Sequence, residues 1–275
     1  MKNFGLTGYP LGHSMSPIIH RELCALAGID ADYSLFEISP EELGGKIGEL
    51  KKLSGFNVTI PHKIEIIKYL DGLDERASLF GAVNTVKADG DALKGFNTDC
   101  FGFLRALSMA GIALSGDVLV CGAGGVSRMF AFEAALANCR LTIAVRKDDI
   151  PFAQQIKAEI REKLNKDCLV MLLSEVSDGY DLIINGTPLG MFPNVDASVL
   201  PRETVIKSKA VFDAVYNPQE TLFIKYAKEG GLKYTNGLPM LVWQAAVAEE
   251  IWNGVEFTVE DIKKVLEITQ KELDK

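Results

Sequence analysis

The residues whose spacing most clearly suggests chemistry are Gly122, Gly124 and Gly125, which stand in GAGGVSRMFAFEAALANC directly after the apolar run DVLVC. Glycine lets a backbone turn tightly between a strand and a helix and approach a pyrophosphate, whose charge the helix N-terminus then meets. A full GxGxxG repeat would need a third glycine at position 127, where this chain has Ser127, and such turns also arise for purely structural reasons. The next apolar run, LTIAV, ends on Arg146, Lys147, Asp148 and Asp149. At this place in a dinucleotide-binding unit a cation suits the 2′-phosphate of NADP and an acid suits the free ribose diol of NAD. The two cations come first and favour NADP; Asp148 or Asp149 would suit NAD; a solvated charge run is the structural alternative. Towards the N-terminus, GYPLGHSMSP, NVTIPHK, GAVNT and GFNTD gather hydroxyl, amide and charged groups beside the ends of apolar runs.

The elements that must position these groups alternate. Asn3 to Gly8, Tyr33 to Ile38 and Phe56 to Ile60 read as strands. The segments SPIIHRELCALAG, Pro40 to Leu53 and Lys63 to Leu70 read as helices, the first with Ser16 as N-cap, Pro17 in its first turn and Gly28 at its end. Val83 to Ala88 and Leu93 to Phe96 flank an Asp89-Gly90-Asp91 turn as a hairpin, and a helix from about Asp99 to Ala110 follows. The runs DVLVC, LTIAV, CLVML, DLIIN and AVFDA are short and almost continuously apolar, as buried parallel strands are. Two helical patterns, MLVWQAAVAEEIW and TVEDIKKVLEITQKEL, close the chain, and we expect them to pack back onto the first domain.

At 275 residues, 48% hydrophobic and 24% charged, the chain suits a globular protein of two domains. A formal net charge of −8 argues against a nucleic-acid partner, and the expected partner is a small molecule. No apolar run reaches membrane-spanning length and MKNFGLTGYP lacks a signal-peptide core, so no membrane association and a cytoplasmic location are expected. Cys24, Cys100, Cys121, Cys139 and Cys168 form no CxxC pair and read as reduced thiols, and the scattered His13, His20 and His62 give no support for a metal site.

The polar blocks, together with GAGG, INGTPLGM, FDAVYNP and GLPMLVWQAA, resemble the shikimate dehydrogenase family in order and spacing, from Gly8 to about Gly254. The resemblance implies two α/β domains. One is an N-terminal substrate-binding and catalytic domain with a mostly parallel sheet, residues 1–98 plus 238–275; the other is a Rossmann-type NAD(P)-binding domain, residues 99–237. It implies an oxidoreductase carrying out the NADP-dependent, reversible reduction of 3-dehydroshikimate to shikimate in aromatic amino-acid (chorismate) biosynthesis; the sequence leaves monomer or homodimer open. Lys63 and Asp99 become the catalytic pair. Hydride reduction of a ketone leaves an alkoxide that a lysine ammonium can protonate, with a carboxylate to orient it, although an ordinary salt bridge would look alike in sequence.

By the same resemblance Ser14 and Ser16 hold the substrate carboxylate, and Thr59, Asn84, Tyr216 and Gln244 contact the substrate. Gly122, Ala123, Gly124, Gly125 and Val126 take the pyrophosphate, Arg146 and Lys147 the ribose phosphate, and Glu75, Ala214 and Gly237 the nicotinamide end, with Thr187 facing the dinucleotide. Structural readings exist beside these: Ser16 as a cap, Asn84 as a turn former, Gln244 as a helix-surface amide. Two departures from the family pattern concern the cofactor. Val145-Arg146-Lys147 replaces Asn-Arg-Thr and resembles quinate/shikimate relatives that accept NAD, and Ala214 replaces a methionine. A quinate/shikimate dehydrogenase using NAD or both cofactors is therefore the alternative enzyme, and a non-catalytic ligand sensor the alternative from another class.

Overall fold

A computed structural model describes residues 1–12 and 14–275, so His13 lies outside the described residues. The chain forms two compact units, Met1–Gly102 with Leu241–Lys275, and Phe103–Met240.

The first unit runs β1 (Lys2–Gly8), α1 (Ser16–Leu26), β2 (Ala31–Glu37), α2 (Leu43–Leu50), β3 (Gly55–Val58), α3 (His62–Glu65), β4 (Gly72–Leu73), α4 (Glu75–Phe80), β5 (Thr85–Asp89) and β6 (Ala92–Phe96). The helix α5 (Asp99–Met109) then carries the chain onward. The sheet order is β2-β1-β3-β5-β6-β4, parallel at β2-β1-β3 and at β4-β6, with β5 antiparallel to both neighbours. On one face Phe56, Val58, Val83, Val86 and Leu93 pack against Leu43, Ile47 and Leu50 of α2. On the other, Phe4 stacks on Trp252 at 4.6 Å, and the Trp252 indole donates to the Val86 carbonyl at 2.9 Å.

Ser16 is not the cap of α1: Met15 already has helical backbone angles, so the helix begins at Ser16, and the Ser16 N–H donates to Ser14 Oγ at 3.2 Å. The helix expected over Pro40 to Leu53 shrinks to Leu43–Leu50, since Gly44, Gly45 and Gly48 lower its helical propensity. That expected over Lys63 to Leu70 divides into α3 and a 3-10 turn, Ile66–Tyr69.

The second unit runs β7 (Asp117–Cys121), α6 (Gly125–Leu136), β8 (Arg140–Val145), α7 (Ile150–Leu164), β9 (Leu169–Leu172), β10 (Leu182–Asn185), α8 (Arg202–Val205), β11 (Ala210–Asp213), α9 (Leu222–Glu229) and β12 (Lys233–Thr235). Its strands are all parallel, in the order β12-β11-β10-β7-β8-β9. The order reverses between β7 and β10, the place where the carboxyl ends of the strands leave a crevice in a doubly wound sheet. Two further helices follow, α10 (Gly237–Asn253) and α11 (Val259–Leu273). The second of these packs on α1 and opens with a capping box in which Thr258 and Asp261 satisfy one another's backbone N–H groups.

Among the described residues no cysteine forms a disulfide, and burial pushes the Cys24 thiol up to about 12 and the Cys168 thiol up to about 11. Among the described residues no helix is long and apolar enough to cross a membrane, and no cluster of three or more His, Cys, Asp or Glu could hold a metal ion.

The second unit's core includes a three-ring cluster, Phe130 with Phe103 at 4.6 Å and with Phe212 at 5.4 Å, all fully buried. Phe130→Ala is therefore expected to lower the unfolding free energy by about 3–5 kcal/mol, read from the midpoint of a urea titration at constant slope.

Candidate active site

In the first unit the ends of β3, β5 and β6 bring separate polar segments together. Lys63 stands on the four-residue helix α3, whose backbone is tied down because Val83 N–H donates to the Lys63 carbonyl at 2.8 Å. Asp99 opens α5 directly after β6. Lys63 Nζ donates to Asp99 Oδ2 at 2.7 Å, and Asn84 Nδ2 donates to Asp99 Oδ1 at 2.9 Å. The two charged side chains retain 31% and 22% of their surface, so the pair is ordered yet open to a ligand.

Behind them lies a buried polar layer. Thr98 N–H donates to Asn84 Oδ1 at 2.7 Å, which turns the Asn84 amino group towards Asp99 and towards Gln244 Oε1 at 3.3 Å. Gln244 is anchored in turn by donating to the Leu241 carbonyl at 2.9 Å. Asn57 Nδ2 donates to Thr85 Oγ1 at 3.0 Å and to the Asn84 carbonyl at 3.2 Å, and Tyr33 donates to Asn57 Oδ1 at 2.7 Å. Burial holds the Tyr33 phenol well above its usual range, against a smaller opposing effect of its hydrogen bond with Ser16. Tyr33 is thus a neutral donor. Lys63, Asn84, Asp99 and Gln244 form one bonded chain, to which Ser16 connects through Tyr33. Thr59 is half-buried at the end of β3, with its N–H on the Thr7 carbonyl at 2.9 Å, and Ser14 receives Ser16 as described. Glu75 is exposed in the first turn of α4, beside the cap Asp74.

In the second unit a pocket of about 450 Å³ opens where the strand order reverses, lined among others by Gly122, Ala123, Gly124, Arg146, Asp149 and Thr187. Gly122 has φ +105°, and a Cβ there would meet Ser127 Oγ at 2.8 Å and Thr187 Cγ2 at 3.0 Å, so both its angle and its crowding require glycine. Open space stands where Gly124 and Gly125 would carry a Cβ, as close backbone approach by a ligand requires. Ser127, in place of the third glycine, is buried and donates to the Gly186 carbonyl at 3.0 Å. Gly186 makes the room, since a Cβ there would lie 2.3 Å from Ser127 Oγ. The glycine missing from one side of this contact is present on the other. Val126 is half-buried on α6, and Lys147 is exposed after Arg146. Arg146 is paired with a carboxylate: Nη2 and Nε lie 2.9 and 3.0 Å from Asp149 Oδ2.

The pocket wall continues into a buried network at the ends of β10 and β11. Thr187 donates to Asn185 Oδ1 from its N–H at 3.0 Å and from Oγ1 at 2.6 Å, while Asn185 Nδ2 donates to Asp213 Oδ1 at 2.9 Å. Asp213 also accepts from Val215 N–H at 3.1 Å and Thr221 Oγ1 at 2.5 Å. Half-buried Ala214 follows, its carbonyl 2.1 Å from where a Cβ on Gly237 would stand, and Gly237 N–H donates to the Val215 carbonyl at 3.2 Å. Tyr216, next in the chain, is half-buried, and burial raises its phenol.

Comparison with known proteins adds an independent observation. Residues 6–86 match the shikimate dehydrogenase substrate binding domain, and residues 237–267 match the shikimate 5′-dehydrogenase C-terminal domain. A Methanocaldococcus jannaschii protein named shikimate dehydrogenase (NADP(+)) is 42% identical over 273 residues, 96% of each chain. The chain belongs to the shikimate dehydrogenase family. Among solved members, a shikimate dehydrogenase in complex with NADP+ superposes with a TM-score of 0.89 at 41% identity, covering 98% of this chain and 95% of that one. A Thermus thermophilus shikimate 5-dehydrogenase in complex with NADP(H) and shikimate superposes with a TM-score of 0.87 at 33% identity, covering 98% and 100%. The two α/β units with mostly parallel sheets are the fold of this family.

Reading single residues for chemistry missed the polar supports in each unit: Tyr33, Asn57, Thr85 and Thr98 in the first, Asn185 and Asp213 in the second. The available signal was a polar residue abutting an apolar run, as in GFNTD, INGTP and FDAVY. Asp213 is the one carboxyl among these six residues. Burial raises it from 3.8 to about 6, against three hydrogen bonds that lower it. Between those two values the folded protein holds a proton that the unfolded chain has released, so stability falls as pH rises through this window and levels off above it. Asp213→Asn should remove that dependence. Its stability relative to the parent is expected to climb between about pH 4 and pH 6, by at most ~3 kcal/mol, in paired chemical-unfolding curves.

Proposed function

We propose that this protein catalyses the reversible, NADP-dependent reduction of 3-dehydroshikimate to shikimate, a step of aromatic amino-acid biosynthesis through chorismate. The observation that carries the reading is the Lys63–Asp99 bond of 2.7 Å, with Asn84 on the second carboxylate oxygen, in a chain 42% identical to a relative named for this reaction. NADPH supplies the hydride when bound. Lys63, as ammonium, donates a proton to the oxygen of the reduced carbon, and recovers one from solvent, which reaches the partly open pair. Asp99 keeps that ammonium aimed. In the oxidative direction Lys63 as free amine takes the hydroxyl proton.

The substrate-binding and catalytic domain is the first unit. Ser14 and Ser16 hold the substrate carboxylate, and Thr59, Asn84 and Gln244, with Tyr216 of the second unit, contact its hydroxyls. Neutral donors and acceptors suit a polyhydroxylated ring, because an analogue lacking one hydroxyl leaves a shielded polar group unpaired. The dinucleotide-binding domain is the second unit. Gly122, Ala123, Gly124, Gly125 and Val126 hold the pyrophosphate against the N-terminus of α6, with Thr187 beside them, and Arg146 and Lys147 take the 2′-phosphate. Glu75, Ala214 and Gly237 serve the nicotinamide end.

The direct test is absorbance at the nicotinamide band with shikimate or quinate and each dinucleotide. Reduction of NADP that depends on shikimate is expected, and a sample inert with both dinucleotides would count against the reading. In Lys63→Ala we expect kcat to fall by roughly 10²–10⁴ while the shikimate dissociation constant changes far less. Equal losses would recast Lys63 as a binding group.

One observation favours a second reading in which NAD is also used. Asp149 already accepts from the Arg146 guanidinium, so a 2′-phosphate must share that cation with a carboxylate. Removing the like charge in Asp149→Ala should raise the NADP-to-NAD ratio of kcat/KM by roughly fivefold, on the order of 1 kcal/mol. A ratio that falls would instead make Asp149 part of the NADP site.

A further inference from the structure

The mechanism above makes no use of Asp213, although it is fully buried and has three donors converging on it. Each donor leads to a different segment of the second unit. Asn185 leads to the loop after β10, because both the N–H and the hydroxyl of Thr187 end on its Oδ1. Val215 N–H leads to the segment carrying Ala214 and Tyr216. Thr221, the N-cap of α9, accepts from Ile224 N–H and donates to Asp213 Oδ2. An Asn side chain can present either its oxygen or its amino group, and what faces it decides which. Asp213 Oδ1 is an acceptor and, with the Leu189 carbonyl at 3.3 Å as the weaker second one, it draws the Asn185 amino group towards itself and leaves the Asn185 oxygen for Thr187.

We propose that Asp213 is a positioning residue that sets the dinucleotide loop, through Asn185, and the Ala214–Tyr216 segment, through Val215, from one buried carboxyl group. The inference rests on the reading of Thr187 as a dinucleotide contact and Tyr216 as a substrate contact. The two arms leave Asp213 by different routes, so they can be cut separately. Asn185→Ser removes the amide that reaches Thr187 but leaves the Asp213 bonds to Val215 and Thr221 in place. Asp213→Leu removes both arms. Asp213→Asn keeps an acceptor oxygen for Asn185 and Val215 and places its amino group against Thr221 Oγ1, so it preserves both.

The experiment measures NADPH affinity by quenching of protein fluorescence and the Michaelis constant for shikimate by the absorbance assay, with circular dichroism to verify folding. In Asn185→Ser the NADPH dissociation constant is expected to rise about tenfold while the shikimate KM stays within about threefold. In Asp213→Leu both should rise about tenfold or more, and in Asp213→Asn both should stay within about threefold of the parent. Should Asp213→Leu fail to fold, the Asn185→Ser split and the Asp213→Asn rescue decide the matter. The proposal is overturned if folded Asn185→Ser binds NADPH as the parent does, if its shikimate KM rises in parallel with the loss of NADPH affinity, or if Asp213→Asn behaves like Asp213→Leu. A parent protein that neither binds NADPH nor turns over shikimate would refute the functional reading instead, a result separable from all of these.

Discussion

One carboxylate, that of Asp99, accepts from an ammonium through one oxygen and from an amide through the other, and much of the first unit serves to bring those two donors to it. Sheet topology supplies the reason they meet. In a parallel array, β5 would begin at the edge opposite the end of β3. Because β5 is antiparallel to β3, with Asn57 opposite Thr85, it begins where β3 ends, and Val58 N–H bonds the Asn84 carbonyl at 2.8 Å. The hairpin then returns β6 so that Phe96 lies opposite Thr85. The residues after β3, before β5 and after β6 therefore share one edge of the sheet. Lys63, Asn84 and Asp99 belong to those three segments.

The second unit reaches a similar end by another route. Its sheet is wholly parallel, so every strand delivers its carboxyl end to the same edge, and the reversal of order between β7 and β10 separates two of those ends enough to leave a pocket. What keeps the pocket in shape is close packing between the turns after β7 and β10, where Ser127 fits against Gly186. Placing the larger residue on the helix and the glycine on the strand turn gives the same approach as the reverse arrangement, with one hydrogen bond added.

This also shows what was legible in the sequence and why the rest was not. Strands β7, β8, β10 and β11 announce themselves because burial on both faces demands unbroken apolar runs, and the hairpin of the first unit through its Asp-Gly-Asp turn. Strands β4 and β12, Gly72–Leu73 and Lys233–Thr235, are too short, and too exposed at Gly72, Lys233 and Tyr234, to leave a periodic signal. The Lys63–Asp99 pair and the glycine turn were visible as residue types in recognisable blocks. Their supports were not: Asn57 bonds Thr85, and Asn185 bonds Asp213, across 28 residues in each case, and no local pattern encodes such a distance. Ser16 shows the converse error, in which a locally sound cap signal lost to a helix that starts one residue earlier.

The polar groups of both units sort into two kinds, and the sorting follows from burial. Tyr33 and Tyr216 are kept neutral by desolvation, and burial raises Asp213 to about 6, and these groups act through hydrogen bonds whose geometry is fixed by packing. Breaking one such bond and leaving its partner unpaired costs about 1–3 kcal/mol, enough to hold one arrangement against its alternatives. Lys63 with Asp99, and Arg146 with Asp149, keep surface open to solvent. An exposed ion pair such as Arg146–Asp149 contributes about 1 kcal/mol or less, so an anionic ligand can redirect it at little cost. In each unit buried hydrogen bonds set where the charges stand, and the charged ends keep surface open to what binds.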